Sequence, residues 1–113
     1  MGEITKVNAS KGYYSDHIAL EWETDGKTIE VFSIQSRIYG SGNEFKQIDQ
    51  MPGNAVSTIY QYSDIKSVPG ILYEYRIVAI TNCGNGAQGK ESDTFVGFRT
   101  PTVISTDESL LKM

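Results

Sequence analysis

Gly84-Asn-Gly86-Ala-Gln-Gly89 has the glycine spacing of a dinucleotide-binding loop, and it follows an apolar, strand-like run. Such a loop works only when a helix starts directly after it, because the helix N-terminal amides hold the pyrophosphate. Lys90-Glu-Ser-Asp-Thr-Phe-Val96 comes next instead and reads as strand, and the chain has no room for a βαβ unit. The glycines are therefore expected to form a hairpin turn, where they permit positive φ.

The other reactive side chains do not assemble into a catalytic pattern. His17 is the only histidine and Cys83 the only cysteine, so neither a transition-metal site nor a Cys–His nucleophile is readable. His17 falls on the outward parity of its strand and is expected to be solvated. No cation flanks Cys83 to lower its pKa, and it reads as a partly buried, inert thiol. Glu21 and Glu23 share one strand face. Paired carboxylates hydrolyse glycosides only in a cleft that raises one pKa, so on an open sheet they read as a solvated face. Asn8-Ala-Ser10 is a formal glycosylation sequon. No catalytic residue, cofactor site or metal site is expected.

The seven tyrosines leave a choice open. Tyr13, Tyr14, Tyr39, Tyr60 and Tyr62 have no evident core role. Exposed aromatics can stack on sugar rings or anchor a protein partner. Each also suits a strand or loop as amphipathic cover. Tyr13, Tyr14 and Tyr39 are the candidate binding patch.

These residues need a scaffold, and composition bounds it. The chain has 113 residues, 39% hydrophobic and 21% charged, which fits one ordered domain with one core. The formal charge is -4 and the ten basic residues are scattered, which opposes binding to nucleic acid or an anionic membrane. A lone cysteine cannot staple the domain, so burial must hold it. No apolar run approaches the roughly 18 residues of a membrane helix. No basic-then-apolar leader opens the sequence, and the chain reads as a fragment of a longer protein.

Short alternating runs supply the elements. Ile4–Ala9 is a first strand. Ile18, Leu20 and Trp22 alternate with Ala19, Glu21 and Glu23, as in a half-buried antiparallel strand. Asp25-Gly26 turns the chain. Thr28–Ile38 is the longest β-rich run, with Phe32, Ile34, Ser36 and Ile38 expected inward. Glu44–Asp49 reads as a charged edge strand, followed by a loop at Met51–Asn54. Val56–Tyr62 is a strand of open parity: Ile59 or the Tyr60/Tyr62 pair faces the core. Asp64–Gly70 is a corner. Tyr73, Tyr75, Ile77 and Ala79 mark the next strand, and Ser92–Arg99 the last. About seven short strands with turns about every 8–12 residues and no helix indicate an all-β sandwich of two antiparallel sheets.

The ordered set resembles a fibronectin type III domain. It comprises Trp22 on the second strand, Phe32-Ser-Ile34 on the third, Pro69-Gly70 before Tyr73-x-Tyr75-x-Ile77-x-Ala79, and Asn82-x-Gly84-x-Gly86 before a final serine-bearing strand. Ala9–Asp16 and Val96-Gly-Phe-Arg99 look like the bacterial version. The resemblance implies an immunoglobulin-like sandwich over residues 1–101, with a polar linker or tail at 102–113. It implies a structural set of Trp22, Phe32, Ile34, Tyr73, Tyr75 and Ile77. Tyr73 becomes the corner tyrosine, its ring in the core and its hydroxyl bonded to backbone near Ile65–Ser67. Trp22 is expected against Phe32, Tyr75 and Ile77. The leucine that the family carries about six residues before the corner tyrosine is missing, and Ile65 or Val68 stands nearest. No Arg-Gly-Asp tripeptide is present.

By that resemblance the chain is a non-catalytic module of a larger secreted or cell-surface bacterial protein. It would serve as a spacer or a protein-interaction surface, with neighbouring domains of the parent chain as partners. The alternative is a carbohydrate-binding module that uses exposed tyrosines on a glycan. Neither nucleic acid binding nor membrane insertion is expected.

Overall fold

The computed structural model describes residues 2–53, 57–82 and 87–101. Eight strands run through them: β1 (Ile4–Ala9), β2 (Ile18–Thr24), β3 (Val31–Ile38), β4 (Lys46–Pro52), β5 (Ile59–Asp64), β6 (Tyr73–Asn82), β7 (Ala87–Glu91) and β8 (Phe95–Gly97). They form two antiparallel sheets. One has the order β1-β2-β5; the other has the order β4-β3-β6-β7, with β8 also paired to β6. This is the all-β sandwich of two antiparallel sheets that the alternation predicts, and its strand order is compatible with the immunoglobulin-like, fibronectin type III arrangement that the resemblance implies.

Period-two burial builds the core. In β2, Ile18, Leu20 and Trp22 are buried while Glu21 is exposed. In β3 and β6, Phe32, Ile34, Tyr75, Ile77 and Ala79 are fully buried from the opposite side. Each sheet thus removes one apolar face from water against the other, the main stabilising term of a sandwich. Trp22 meets Phe32 edge-on at 5.4 Å between ring centroids and stacks on Tyr60 at 6.0 Å. Tyr75 packs instead between Tyr73 and Phe95, at 6.3 and 5.8 Å. The tryptophan's ring neighbours therefore differ from those expected: Tyr60 takes the place given to Tyr75. This also settles the parity of β5. Tyr60 is buried, Tyr62 half-buried and Ile59 exposed.

Several boundaries move. The longest strand is β6, not the run ending at Ile38. Ile38 shares the parity of Ile34 yet is 48% exposed, because the last residue of β3 lies at the rim of the sandwich. The edge strand β4 starts at Lys46 and takes in Met51 and Pro52, which read as loop. Proline is tolerated there because an edge strand has one unpaired side. Phe45, just before β4, lies under two cations: the guanidinium carbons of Arg37 and Arg76 sit 4.2 and 4.5 Å from its ring centroid. Arg37 also pairs with Glu74 at 2.8 Å.

The last strand is split in two. Val78 pairs with Glu91, but Tyr75 pairs with Phe95, one residue more than a regular ladder holds. Ser92 fills the gap with its side chain. Its Oγ accepts the Ile77 N–H at 2.9 Å while its own N–H donates to the Ile77 carbonyl at 2.8 Å. The extra residue is thereby absorbed as a bulge. The strand β7 also disposes of the dinucleotide reading. It pairs with β6 from Asn82↔Ala87 onward, so the segment after the glycines is a hairpin arm and not a helix. Cys83, Gly84 and Gly86 lie outside the described residues, as does the expected tail at 102–113.

Candidate functional site

A cleft of about 520 Å³ opens on the outward face of the three-stranded sheet. Strand register fixes its floor. Asn8 of β1 is paired with Glu21 of β2, and Glu21 with Gln61 of β5, so the three polar side chains stand in a row. Gln61 Nε2 donates to Glu21 Oε2 at 3.4 Å. One step nearer the rim, Ala19 is paired with Ser63. The methyl group of Ala19 fills little space, which leaves a hollow between the polar row and the loop above it.

That loop, residues 10–17, forms the wall. Tyr14 stacks on His17 with ring centroids 4.3 Å apart, and Tyr13 lies tilted beside it at 6.4 Å. Tyr13 is 84% exposed. His17 is not the solvated edge residue expected: its side chain is 21% exposed, covered by Tyr14, and its Nδ1 lies 2.7 Å from Asp16 Oδ1. The hydrogen bond to His17 holds the Asp16 carboxyl below the usual carboxylate range.

The loop is fastened by its ends and its middle. Ser10 N–H donates to the Ala19 carbonyl and Ser10 Oγ accepts the Ala19 N–H, both across the start of β2. Gly12 N–H donates to the Phe98 carbonyl at 2.9 Å, Thr100 N–H donates to the Tyr14 carbonyl at 2.8 Å, and Thr100 Oγ1 donates to the Gly12 carbonyl at 2.6 Å. Gly12 takes a φ of 80°, and a Cβ there would meet the Phe98 ring at 3.0 Å. The aromatic wall is thus set in place by the final segment of the domain, through hydrogen bonds to the loop's main chain.

The same segment reaches the corner between β5 and β6. Arg99 Nη1 donates to the Ser67 carbonyl. At the corner, Pro69 and Gly70 occupy the middle of a type II turn. Ile71 N–H donates to the Val68 carbonyl and Gly70 has a φ of 82°. The Tyr73 hydroxyl accepts the Val68 N–H at 2.9 Å, one residue beyond the expected span, and its ring is half-buried. Neither Ile65 nor Val68 fills the place of the missing leucine; they are 68% and 50% exposed. Ser67 is buried there and donates its hydroxyl to the Asp64 carbonyl at 2.9 Å. Asp64, also buried, accepts the Lys66 N–H and the Tyr75 hydroxyl, the latter at 2.7 Å. Burial, with Asp64 second, pushes the Tyr75 phenol far above the ordinary tyrosine value. Tyr62, pushed up to about 12 by burial and then by Asp49, lies across the same interior.

The structure therefore brings Tyr13 and Tyr14 together and leaves Tyr39 apart. Tyr39 caps β3 on the other sheet, its N–H bonded to the Leu72 carbonyl. Sequence reasoning missed Asn8, His17, Glu21 and Gln61 as lining groups. Their outward parity was readable, but only the strand register sets Asn8 beside Glu21 and Gln61. It missed Asp64 as well, for which the one signal is an aspartate closing a strand before a corner. Among the described residues no group of His, Cys, Asp or Glu could hold a metal ion, and no helix is long and apolar enough to cross a membrane.

No family model matches the chain. Over 71 residues, 63% of its length, it is 32% identical to mosPTP-1 of Aedes aegypti, provisionally named a receptor-type tyrosine-protein phosphatase. The match spans 5% of that protein. The chain is thus an all-β domain similar to a small part of a much longer protein, and that similarity and the fold are compatible with a fibronectin type III module.

Proposed function

We propose that the chain is a non-catalytic fibronectin type III-like module of a larger secreted or surface-attached protein. It spaces neighbouring domains and contacts one of them through one pole. The carrying observation is the distribution of exposed apolar side chains. Of the eight large ones among the described residues, Tyr13, Tyr14, Ile38, Tyr39, Ile65, Val68 and Leu72 lie at one end of the sandwich, and only Ile59 lies at the other. Pro101 leaves the domain at that same end, beside Gly70, while β1 enters at the opposite end, where Ile4 is paired with Thr24. An exposed apolar cluster of this kind marks an interaction surface. A sandwich entered at one end and left at the other suits an in-line spacer. The receptor-type name of the relative agrees with a surface location; a bacterial source rests on the resemblance of residues 9–16 and 96–99 alone.

Solution scattering on the longer natural polypeptide tests the reading. An extended, in-line arrangement is expected, with the module's melting midpoint higher than that of the isolated chain. A Leu72→Ser/Tyr39→Ser double variant, changed only at exposed positions, should erase that difference. Equal midpoints for the isolated and the embedded module would overturn the contact.

A further inference from the structure

We propose that the cleft over the three-stranded sheet is a binding site for a neutral saccharide. The cleft shares Tyr13 and Tyr14 with the apolar pole, but its polar floor lies on the sheet face, and the domain contact is tested at Leu72 and Tyr39, which do not line the cleft. Sugar recognition needs an apolar face of the pyranose ring on an aromatic ring, with planar amides or carboxylates for the hydroxyl groups. Both are here, in one hollow of about 520 Å³. Tyr13 and Tyr14 supply the aromatic wall. Asn8, Glu21 and Gln61 supply a row of amide, carboxylate and amide.

Three features narrow the ligand class. First, the floor offers acceptors as well as donors: Glu21 can only accept, and beyond the Gln61 amide it can take a hydroxyl or N–H from the ligand. An extended proline-rich peptide, the other ligand that suits tyrosine grooves, presents carbonyls and few donors. Second, Glu21 stands on the floor, and among the described lining residues Lys11 is the one lysine or arginine, so the floor disfavours an anionic sugar. Third, the wall is held before binding. Phe98, Thr100 and Ala19 fasten residues 10–17 through hydrogen bonds of main chain and hydroxyl groups, which limits the ordering cost of binding.

The test is affinity electrophoresis of the chain in gels holding neutral polysaccharides (β-glucan, xylan, mannan, galactan) and, in parallel, polygalacturonate. Calorimetry with matching soluble oligosaccharides comes second. Retardation by at least one neutral polymer is expected, with none by polygalacturonate. Tyr13→Ala should weaken binding about tenfold, near 1.4 kcal/mol, and Gln61→Ala several-fold, while Tyr39→Ala leaves it unchanged. Tyr13 is so exposed that its truncation removes no core contact, and circular dichroism of that variant should match the parent. No retardation by any neutral polymer, binding only to polygalacturonate, or binding that survives Tyr13→Ala would each overturn the site.

Discussion

The Tyr75 hydroxyl donates to Asp64 Oδ2 at 2.7 Å across the interior, joining β6 of one sheet to β5 of the other. Tyr73, two residues earlier on β6, makes its own hydroxyl bond to the Val68 N–H, which lies at the rim. The two bonds should differ in worth. Tyr75→Phe leaves a carboxyl oxygen buried without that donor, at a cost of about 2 kcal/mol. Tyr73→Phe loses a bond whose partner can reach water, at a cost of about 1 kcal/mol. Urea unfolding of both variants gives the comparison. A Tyr73→Phe variant less stable than Tyr75→Phe would show that the rim bond, and not the buried one, holds the corner.

The same pair of strands sets an alkaline limit. A tyrosine whose folded pKa is raised keeps its proton in the native state after the unfolded chain has lost it. The unfolded state then binds fewer protons, so stability falls as pH rises. The contribution is complete below about pH 10, the ordinary tyrosine value. For Tyr62 it is lost between there and about 12, and for Tyr75 the loss continues higher. The urea midpoint should therefore hold steady to about pH 10 and drop above it. Tyrosinate absorbance in the native protein should lag behind that in urea. Superimposable titrations in the two states would contradict the burial of these phenols.

Much of this architecture was open to reading, for a physical reason. Alternation in Ile18-Ala-Leu-Glu-Trp22 and Tyr73-x-Tyr75-x-Ile77-x-Ala79 is a local property, and burial follows it directly. The features that escaped depend on which residues meet across the sheets. Tyr60 beside Trp22 requires the β2–β5 register. The bulge at Ser92 requires knowing that a side chain takes over a ladder bond. Asp64 gives no periodic signal, because one polar residue closing a strand looks like the start of any loop. The cleft was half visible. Tyr13 and Tyr14 drew notice as aromatics without a core role, whereas His17 and Glu21 each looked like solvated surface when taken alone.

Trp22 tests the centre of the core. It is fully buried among Phe32 and Tyr60, and truncation to alanine should cost about 3–5 kcal/mol. As the chain's only tryptophan, it reports its own surroundings. Native emission should be blue-shifted and move to the red in urea. Emission already at the solvent-exposed position in the folded protein would be incompatible with this packing.

Gly97 ties the core to the loop that walls the cleft. Its φ is not in the left-handed region, so its lack of a side chain is a matter of space. A Cβ at this position would stand 2.7 Å from Ala9 Cβ, 2.8 Å from Ile18 Cγ2 and 3.1 Å from the Ser10 carbonyl oxygen. Two of these atoms belong to the core and the third to the main chain at the base of the aromatic loop, so none can swing aside. Gly97→Ala should force β8 outward at a cost of about 1–3 kcal/mol, the usual range for overpacking. The bonds from Phe98 and Thr100 to Gly12 and Tyr14 lie directly downstream. The displacement should loosen them, and the backbone amides of Gly12 and Thr100, the donors of those bonds, should exchange with solvent faster in the variant than in the parent. Unchanged exchange in a destabilised Gly97→Ala protein would separate the strand from the loop and show that residues 10–17 hold their shape without it.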